Sequence, residues 1–423
     1  MIWRKGMNRE FFEIVGGNRL NGEVQNYSAK NAVLPMLAGA MLTEEEVTIK
    51  DCPYITDIDN MFKIREVLSL NTQWAGRNII ASGKMKNNHI PEKLANVMRS
   101  SIFMLGPMLV ETGYVRLHRP GGCRIGARPI DIHLDGLEKF GAKISITDNC
   151  VECTATRLKG TEIVLRYPSV GATENLISVA VKATGDTTLI GVAREPEVVS
   201  FCNMLKSMGA KIRGEGTSVI KITGVDTLHG TTVKPIDDRI VAGTIILATA
   251  LMGGRVTIKN CHIGSLGALL TKLVSSKTEI ISSLDDVIIE SDGGIDGFNL
   301  SSGPYPQFPT DLQPIATAVL CQGNNKCEIV ENVFEDRFSY VGQLQKMGAD
   351  IIVVGDRAII NGSQLHGAEV VATDLRGGAG LVVAALNANG TTRVSGIEYI
   401  DRGYESIENI LSKLGARISR ISV

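Results

Sequence analysis

The sequence predicts an α/β protein of two domains, each built from three repeats that combine helices with strands. Three observations lead to this prediction. The chain has 423 residues, which is more than one compact core usually organises. A helix-ending glycine pattern recurs at intervals of about 70 residues, a period that indicates a compact subdomain rather than a short solenoid unit. Short strand-like segments keep the same interval.

The glycine pattern consists of an apolar helical segment, a glycine turn and a strand. Clear copies lie at residues 140–144, 208–212, 347–351 and 414–418. The glycines of the first two copies are 68 residues apart, and those of the last two are 67 apart. A glycine here predicts a helix that ends in the left-handed conformation before the chain turns into a strand. Degraded copies at Asn71 and Ser276 complete a set of six repeats.

The strand-like segments are rich in valine, isoleucine and threonine and follow acidic or glycine turns. They lie at residues 47–49, 187–190, 256–258, 327–330 and 391–394. Each repeat therefore carries helices and strands, whose apolar faces can be buried against neighbouring repeats. Two domains of three repeats each are the most economical arrangement.

The composition argues against several classes of protein. A net charge of −1 argues against a nucleic-acid-binding scaffold. No apolar run reaches the roughly 18 residues that a membrane-spanning helix needs, so we expect no membrane partner. Residues 1–9 are charged and lack an apolar signal core, which favours the cytoplasm. We expect a monomer, although no pattern in the sequence specifies an oligomeric state.

Eight cysteines are scattered through the chain, at positions 52, 123, 150, 153, 202, 261, 321 and 327. Such scatter is typical of free thiols in a reducing cytoplasm. Cys150 and Cys153 form a CxxC pair, but no second pair or histidine cluster completes a zinc site. The alternation of residues 150–153 predicts a strand instead. We therefore expect neither a metal nor a cofactor.

Residues 119–129 place one thiol, Cys123, among three glycines, two prolines and three arginines. Glycines favour turns and positive φ, so the segment is predicted to be a mobile loop. Flanking cations favour the thiolate over the thiol. A thiol in such surroundings is suited to nucleophilic or acid chemistry on an anionic substrate. The alternative is a buried, inert cysteine, the usual fate of a free thiol.

This loop closely resembles the proline-glycine-glycine-cysteine loop of the UDP-N-acetylglucosamine enolpyruvyl transferases, and the resemblance runs from about Phe12 to the C-terminus. It implies transfer of the enolpyruvyl group of phosphoenolpyruvate to the 3-hydroxyl of UDP-N-acetylglucosamine, with release of phosphate, for peptidoglycan and hence for cell-wall growth. It also implies a two-domain inside-out α/β barrel, in which each domain has three βαβαββ-like units with helices inside and sheets outside. The implied domains are 29–236, with the Cys123 loop, and 8–28 plus 237–423.

The segment 26–32 predicts the start of a helix. Ser28 before an apolar helical run is a candidate N-cap, which puts Lys30 and Asn31 in the first turn. A helix start attracts anions. The resemblance implies that Lys30 binds phosphoenolpyruvate, that Asn31 contacts the sugar, and that Asp57 lies near the same site. A plain helix cap is the alternative for Asp57.

A turn at residues 167–175 leads into a predicted helix whose first N–H groups are well placed to hold a diphosphate. By resemblance this turn, Arg99 and the end of the cysteine loop bind the uridine nucleotide. His133, just beyond, is predicted to be a hydrogen-bonding residue rather than a base. The implied contacts of UDP-N-acetylglucosamine are Asn31, Arg99, Arg128, Pro129, Ile130, Asp131, Ile132, Tyr167, Pro168, Ser169, Val170, Asp311 and Val333.

Asp311 ends a proline-rich loop, where an aspartate would ordinarily cap the next helix. The resemblance implies instead that Asp311 is the base at the substrate hydroxyl, with Cys123 as general acid and Lys30 as a third catalytic residue. The Cys123 thiolate can also form an adduct with phosphoenolpyruvate, and the epoxide fosfomycin should alkylate it. The implied contacts of phosphoenolpyruvate are Lys30, Asn31, Arg128, Arg376 and Arg402.

Several positions depart from the frequent residues of that family. They are Arg119, Arg124, Val241, Gln307 and the glycine-rich run Gly377-Gly378-Ala379-Gly380. These departures leave open a divergent paralogue with another acceptor, or a non-catalytic scaffold of the same fold. Two other enzymes share related folds: 5-enolpyruvylshikimate-3-phosphate synthase, which lacks this cysteine loop, and RNA-terminal phosphate cyclase, which should show a nucleotide-accepting histidine motif that this chain lacks.

Overall fold

The structure is a computed structural model that describes residues 10–118, 121, 125–126, 129–147, 150–274, 277–283 and 285–423. The chain divides into two compact units. The first unit comprises residues 27–118, 121 and 129–238, and the second comprises residues 10–26, 125–126 and 239–423.

The helices of the described chain are α1 (Lys30–Gly39), α2 (Thr56–Val67), α3 (Glu92–Ala95), α4 (Leu105–Thr112), α5 (Asp131–Lys139), α6 (Val170–Ala180), α7 (Pro196–Ser207), α8 (Arg239–Met252), α9 (Gly267–Leu273), α10 (Gln313–Leu320), α11 (Val341–Lys346), α12 (Leu375–Leu386) and α13 (Ile407–Lys413). Short 3-10 turns lie at Ala40–Leu42, Arg99–Met104, Ile263–Leu266, Arg337–Tyr340 and Ile397–Arg402.

The strands are β1 (Glu10–Val15), β2 (Leu20–Gln25), β3 (Val47–Ile49), β4 (Asn71–Ala75), β5 (Asn78–Ser82), β6 (Tyr114–His118), β7 (Lys143–Ile146), β8 (Cys150–Thr154), β9 (Glu162–Val164), β10 (Asp186–Ile190), β11 (Lys211–Arg213), β12 (Val219–Thr223), β13 (Thr231–Val233), β14 (Gly254–Lys259), β15 (Thr278–Ser283), β16 (Asp286–Ser291), β17 (Leu300–Ser301), β18 (Cys327–Val330), β19 (Asp350–Val354), β20 (Arg357–Asn361), β21 (Glu369–Val371), β22 (Thr391–Ser395) and β23 (Arg417–Ser422). The strand β8 confirms that the CxxC pair lies on a strand.

The strands form separate small sheets, one for each repeat. The first unit holds the sheets β13-β3-β5-β4, β6-β8-β7 and β11-β12-β10-β9, and the second holds β15-β16-β14-β2, β17-β18-β20-β19 and β21-β22-β1-β23. In the clearest repeat, β9 and β10 are parallel while β12 pairs antiparallel with both β10 and β11. With α6 between β9 and β10 and α7 between β10 and β11, this repeat is a βαβαββ unit, as the family resemblance implies.

Helices form the interior of each unit and the sheets cover it. In the second unit α8, α10 and α12 pack on one another, and α12 is buried along its whole length. In the first unit α4 packs on α6, and nearly every residue of α1 and α6 is buried. Strands alternate between a buried and an exposed side, as in β12, where Ile220 and Ile222 are buried and Lys221 is exposed. The predicted inside-out α/β fold is confirmed.

Left-handed glycines end the helices where the repeats predict them. Gly141, Gly209, Gly348 and Gly415 have φ of 101°, 104°, 91° and 101°. In the first repeat the left-handed residue is Ser69, with φ of 65°. The sequence predicts this turn at Asn71. The observed turn lies two positions earlier, because α2 ends at Val67. The other degraded copy, at Ser276, lies outside the described residues.

Candidate active site

Lys30 is the first residue of α1 and forms a buried ion pair with Asp57. Lys30 Nζ lies 2.7 Å from Asp57 Oδ2, and the two side chains are 9% and 1% exposed. A buried charge is stable when it is paired, so this contact explains how an ammonium can lie below the surface. Asp57 sits in the first turn of α2, after the N-cap Ile55. The structure therefore places Asp57 beside Lys30, not at a helix cap.

The predicted Ser28 cap of α1 is wrong. The N-cap residue is Ala29, which makes no side-chain cap, and the Ser28 hydroxyl donates to the Lys50 carbonyl at 2.9 Å. The carboxylate of Asp238 takes the capping role, because its Oδ2 accepts from the Lys30 N–H at 3.2 Å. A carboxylate at a helix start also interacts favourably with the helix dipole. Lys30 and Asn31 do occupy the first turn, as predicted.

His133 lies where three segments of the predicted nucleotide site come together. Arg99, at the start of a 3-10 turn, donates from Nη2 to the Pro129 carbonyl at 3.4 Å. Pro129 leads into α5, and His133 Nδ1 on that helix lies 3.0 Å from Asn175 Nδ2 on α6. Burial, and secondarily the Arg99 guanidinium, lower the pKa of His133 to about 3. The imidazole is therefore neutral, which suits the predicted hydrogen-bonding role rather than that of a base.

The start of α6 is the predicted turn into a helix. Ser169 is its N-cap, and Ser169 Oγ accepts from the Ala172 N–H at 3.4 Å. Tyr167 is exposed, while Pro168, Ser169 and Val170 are partly exposed. A helix start leaves its first N–H groups without partners inside the helix. This end of α6 thus offers an accessible group of backbone donors.

Asp131, the first residue of α5, is already engaged at the surface. Its Oδ1 accepts from the Ile132 N–H at 2.8 Å, and its Oδ2 pairs with Arg166. Arg166 also binds Asp135 at 2.6 Å. The adjoining Ile130 and Ile132 are partly exposed. The segment before α5 is therefore fixed by contacts to the turn that precedes α6.

Asp311 lies in the second unit between two buried guanidinium groups. Asp311 Oδ1 accepts from Arg337 Nη2 at 3.2 Å, and Oδ2 accepts from Arg376 Nη2 at 3.1 Å. The arginine side chains are 2% and 3% exposed, whereas that of Asp311 is 28% exposed. The N-cap of α10 is Leu312, so the ordinary helix-cap interpretation of Asp311 does not hold. Both arginines are held by this carboxylate, and guanidinium groups are suited to bind a phosphate or a carboxylate.

Glu331 binds the residue before Asp311 and the backbone of the segment that leads to Arg337. Both carboxylate oxygens accept from the Thr310 hydroxyl at 3.1 Å, and Oε1 also accepts from the N–H groups of Val333 and Phe334 at 2.9 and 3.2 Å. Glu331 is 4% exposed. One buried carboxylate therefore fixes the residue before Asp311 and the predicted nucleotide contact Val333.

Arg376 is held at the start of α12 by its backbone as well as by its side chain. Asp374 Oδ1 accepts from the N–H groups of Arg376 and Gly377 at 3.0 Å each. A Cβ on Gly377 would lie 2.3 Å from Asp374 Oδ2, and one on Gly380 would lie 2.8 Å from the Pro314 carbonyl. The glycine-rich departure thus permits the close approach of α12 to its own cap and to α10.

Arg402 ends the 3-10 turn Ile397–Arg402 and is partly exposed. Its neighbours are fixed: Asp401 binds Arg420 at 2.7 Å, and the Tyr404 hydroxyl lies 2.8 Å from the Thr244 hydroxyl. The Arg376 guanidinium lies over the Tyr404 ring, 5.2 Å from its centre. The Tyr404 ring therefore connects the turn that carries Arg402 to Arg376.

Cys123 and Arg128, with the departures Arg119 and Arg124, lie outside the described residues. The seven cysteines that the structure describes are free and buried. Burial raises the pKa of Cys153 and Cys202 to about 12 and that of Cys327 to about 11. All seven thiols are buried, which limits their access to a reagent in solution. Across the described ranges, no three His, Cys, Asp or Glu side chains are arranged to hold a metal ion.

Sequence reasoning missed Arg337, Glu331 and Asp238 as site residues. Arg337 follows Glu335 and Asp336, a pattern typical of a solvated surface segment, and nothing local shows that its side chain turns inward. Asp238 caps a helix that begins 208 positions earlier. Val241 lies on α8, and Gln307 lines a cavity of about 300 Å³ in the second unit.

The comparisons with known proteins give one consistent result. The family model of EPSP synthase (3-phosphoshikimate 1-carboxyvinyltransferase) matches residues 14–411. UDP-N-acetylglucosamine 1-carboxyvinyltransferase 2 of Carboxydothermus hydrogenoformans is 44% identical over 98% of this chain and 100% of its own. The enzyme of that name from Caldanaerobacter subterraneus subsp. tengcongensis is 43% identical over 97% and 99%. The crystal structure of the enolpyruvyl transferase NikO from Streptomyces tendae has a TM-score of 0.89 at 24% identity, over 99% and 100% of the two chains.

In the part of the chain that the structure describes, no helix is both long enough and apolar enough to cross a bilayer.

Proposed function

Because the chain belongs to the EPSP synthase family and, within it, to the UDP-N-acetylglucosamine 1-carboxyvinyltransferases, we propose that it transfers the enolpyruvyl group of phosphoenolpyruvate to the 3-hydroxyl of UDP-N-acetylglucosamine and releases phosphate. The observation that carries this proposal is the 44% identity along 98% of the chain to a relative of that name. The reaction supplies a precursor of bacterial peptidoglycan. The description of the family model raises a shikimate acceptor as a second possibility. The relative that is 44% identical argues against it, because that relative is named for the reaction of UDP-N-acetylglucosamine.

The chemistry needs one acid and one base that exchange roles. In the addition step the sugar hydroxyl oxygen bonds to C2 of phosphoenolpyruvate, a proton reaches C3, and the hydroxyl loses its proton. In the elimination step C3 loses a proton, the bond from C2 to the phosphate oxygen breaks, and phosphate leaves. We assign Cys123 as the acid at C3 and Asp311 as the base at the hydroxyl. The partial exposure of Asp311 between two buried arginines supports this role.

Phosphoenolpyruvate brings a phosphate and a carboxylate that need cations. We assign Lys30, Asn31, Arg128, Arg376 and Arg402 to this substrate, with Lys30 also catalytic. Lys30 and Arg376 are buried and held by carboxylates, so each is oriented before the substrate arrives. Preorganised charges of this kind stabilise developing negative charge without reorganisation.

UDP-N-acetylglucosamine requires donors for its diphosphate and contacts to its rings. We assign to this substrate Asn31, Arg99, Arg128, Pro129, Ile130, Asp131, Ile132, Tyr167, Pro168, Ser169 and Val170, together with Asp311 and Val333 of the second unit. The contacts around His133 support the first set, because Arg99 binds the Pro129 carbonyl just before α5 and His133 on α5 contacts Asn175 on α6. The N–H groups at the start of α6 suit a diphosphate.

We also propose the cytoplasm as the compartment and a monomer as the working form, with no nucleic acid or membrane as partner. The seven described cysteines support the compartment, because free thiols persist in a reducing environment.

The test is phosphate release with phosphoenolpyruvate and UDP-N-acetylglucosamine together. We expect turnover with this pair, none with either substrate alone, and none when shikimate 3-phosphate replaces the UDP-sugar. Turnover only with shikimate 3-phosphate, or none with any acceptor, would overturn the proposal.

The role of Cys123 is tested separately by substitution and by alkylation. Cys123→Ala should lose nearly all activity, whereas Cys123→Asp should keep some turnover and lose sensitivity to fosfomycin, since aspartate donates a proton but forms no thioether. Peptide mapping after brief exposure to fosfomycin should find Cys123 modified and the seven buried thiols free. Near wild-type activity of Cys123→Ala would remove this cysteine from the mechanism.

A further inference from the structure

Asn175 on α6 is a buried amide that uses both of its polar atoms. It is 1% exposed. Its Oδ1 accepts from the Gly106 N–H at 2.8 Å, and its Nδ2 donates to the Ile102 carbonyl at 3.0 Å. Nδ2 also lies 3.0 Å from His133 Nδ1. A side chain with this set of partners joins four segments of the first unit.

Three of the joined segments carry the residues assigned to the UDP-sugar. Ile102 belongs to the 3-10 turn that begins with Arg99. His133 belongs to α5, which follows Pro129 and Ile130. Asn175 itself belongs to α6, which begins just after the N-cap Ser169. The fourth segment is α4, whose early N–H at Gly106 would otherwise lack a partner within the helix.

The orientation of the amide is fixed by its backbone partners. The Gly106 N–H can only donate and the Ile102 carbonyl can only accept, so the oxygen faces Gly106 and the nitrogen faces Ile102. His133 Nδ1 must then accept, which places the imidazole proton on Nε2. The lowered pKa of His133, about 3 because of burial, agrees with a neutral ring.

The packing around the amide leaves no room for adjustment. A Cβ on Gly106 would lie 2.7 Å from the Asn175 backbone carbonyl oxygen. A Cβ on Gly171, in the first turn of α6, would lie 3.3 Å from the His133 ring. Glycines at these two positions allow α6 to approach α4 and α5 closely enough for one side chain to reach all of these partners.

We propose that Asn175 is a positioning residue for the UDP-sugar, which holds Arg99 and the starts of α5 and α6 in register without contacting the substrate. This inference rests on the proposed function. It predicts that the loss of the amide weakens the binding of the UDP-sugar selectively, because all three joined segments are assigned to that substrate. The binding of phosphoenolpyruvate should be affected little, because its assigned residues lie outside the three joined segments.

The test compares Asn175→Asp and Asn175→Ser with the wild-type chain. The aspartate can accept from Gly106 but cannot donate to Ile102, and the serine is too short to reach all partners. We expect the KM for UDP-N-acetylglucosamine to rise at least about tenfold in both variants, as misplacement of a binding group by about 1 Å can cause. The KM for phosphoenolpyruvate and the kcat at saturation should stay within about twofold. Calorimetry with UDP-N-acetylglucosamine should show the same weakening.

Thr317→Val is the matched control in the second unit. Thr317 is fully buried, donates to the Gln313 carbonyl at 2.9 Å and bonds the Tyr340 hydroxyl at 2.8 Å. Its loss should lower the thermal midpoint without changing either KM. The inference is overturned if the Asn175 variants keep the wild-type KM for the UDP-sugar, or if both KM values rise equally. Absence of turnover and of UDP-sugar binding in the wild type would instead refute the proposed function.

Discussion

The second helix of the first repeat, α2, differs from the second helix of each of the other described repeats. In those repeats the residue four positions before the left-handed glycine is a buried leucine: Leu137, Leu205, Leu344 and Leu411. In the first repeat the left-handed residue is Ser69, and the position four residues earlier is Arg65, which is 0% exposed. A buried cation thus occupies a place where the fold otherwise uses an apolar side chain.

Arg65 replaces apolar packing with directed hydrogen bonds. Its Nε donates to Thr72 Oγ1 at 2.7 Å, its Nη1 to the Leu37 carbonyl at 2.8 Å, and its Nη2 to the Asn71 carbonyl at 3.3 Å. Thr72 is itself a polar replacement. The corresponding residues of the other repeats are Ile144, Ile212, Ile351 and Ile418.

The difference matters because the Leu37 carbonyl lies in the last turn of α1, the helix that begins with Lys30. A cation at the C-terminal end of a helix is favourable, as is the Asp238 carboxylate at the other end. Burial lowers the pKa of Arg65 to about 10, so the guanidinium is still charged at neutral pH. The same backbone turn can therefore be closed by apolar packing or by a polar network, and in the first repeat the network also holds the helix that carries Lys30.

The largest expected effect is that of Arg65→Leu. This substitution introduces the leucine of the other repeats but keeps Thr72 where those repeats have an isoleucine. The substitution removes the donors to the buried Leu37 carbonyl, the part-buried Asn71 carbonyl and the Thr72 hydroxyl, and we expect a loss of about 3 kcal/mol in the free energy of unfolding. Urea unfolding followed by the fluorescence of Trp74, in a Trp3→Phe background, measures it in the first unit. A loss below about 1 kcal/mol would mean that the network contributes no more than leucine packing.

The double variant Arg65→Leu/Thr72→Ile sharpens the comparison. It restores both residues of the apolar version, so it should be more stable than the sum of the two single effects predicts, by about 1–2 kcal/mol. The same urea experiment on all four chains gives this coupling. Strict additivity would show that the two positions do not act as a pair.

Gly141→Ala tests the other side of the comparison, the left-handed glycine. A Cβ at Gly141 would meet only the Arg157 carbonyl, at 3.6 Å, so the cost comes from φ of 101° and not from a clash. We expect a loss of about 1–2 kcal/mol. Thermal unfolding by circular dichroism measures it, with Gly342→Ala as control, since a Cβ there meets nothing within 4 Å and φ is not positive. Equal losses in both variants would contradict the role given to φ.

The smallest expected effect is a gain in stability from Ser69→Gly. Glycine removes the strain of φ at 65°, while the exposed hydrogen bond from Asn87 Nδ2 to the Ser69 hydroxyl is lost. The balance should be a gain of about 0.5 kcal/mol in the free energy of unfolding. A clear loss in the same thermal assay would show that serine is preferred at this turn for a reason other than backbone geometry.

Local signals carried much of the fold prediction. The conformations of the glycine turns and of the strand-like segments depend on residues close by in the sequence. Their spacing therefore indicates six repeats without any knowledge of the packing. The predicted turn of the first repeat, at Asn71, lies two residues beyond the observed one, because position 69 is a serine and the other turns are marked by a glycine. That Arg65 would be buried could not be predicted, since its acceptor at Leu37 lies 28 positions away.

A sequence motif can mark a candidate site residue, but partners far away in the sequence decide how its side chain is held. Ser28 looked like a cap, but Asp238 from the far end of the first unit performs that function. Asp311 was singled out, yet its partners Arg337 and Arg376 lie 26 and 65 positions farther on. The predicted catalytic and binding roles of all the site residues remain predictions, and Cys123 and Arg128 also lie outside the described residues.

The first and last strands of the described chain are neighbours in one sheet. β1 lies between β22 and β23, with Glu10 opposite Ser422 and Val15 opposite Arg417. Directly paired residues of antiparallel strands lie about 5 Å apart, so the backbone path of the second unit closes on itself almost as a ring. A circularly permuted chain, with residue 423 linked to residue 10 and new ends at Gly355 between β19 and β20, should therefore keep every sheet. The sheets of the second unit therefore do not depend on which of its strands comes first in the polypeptide.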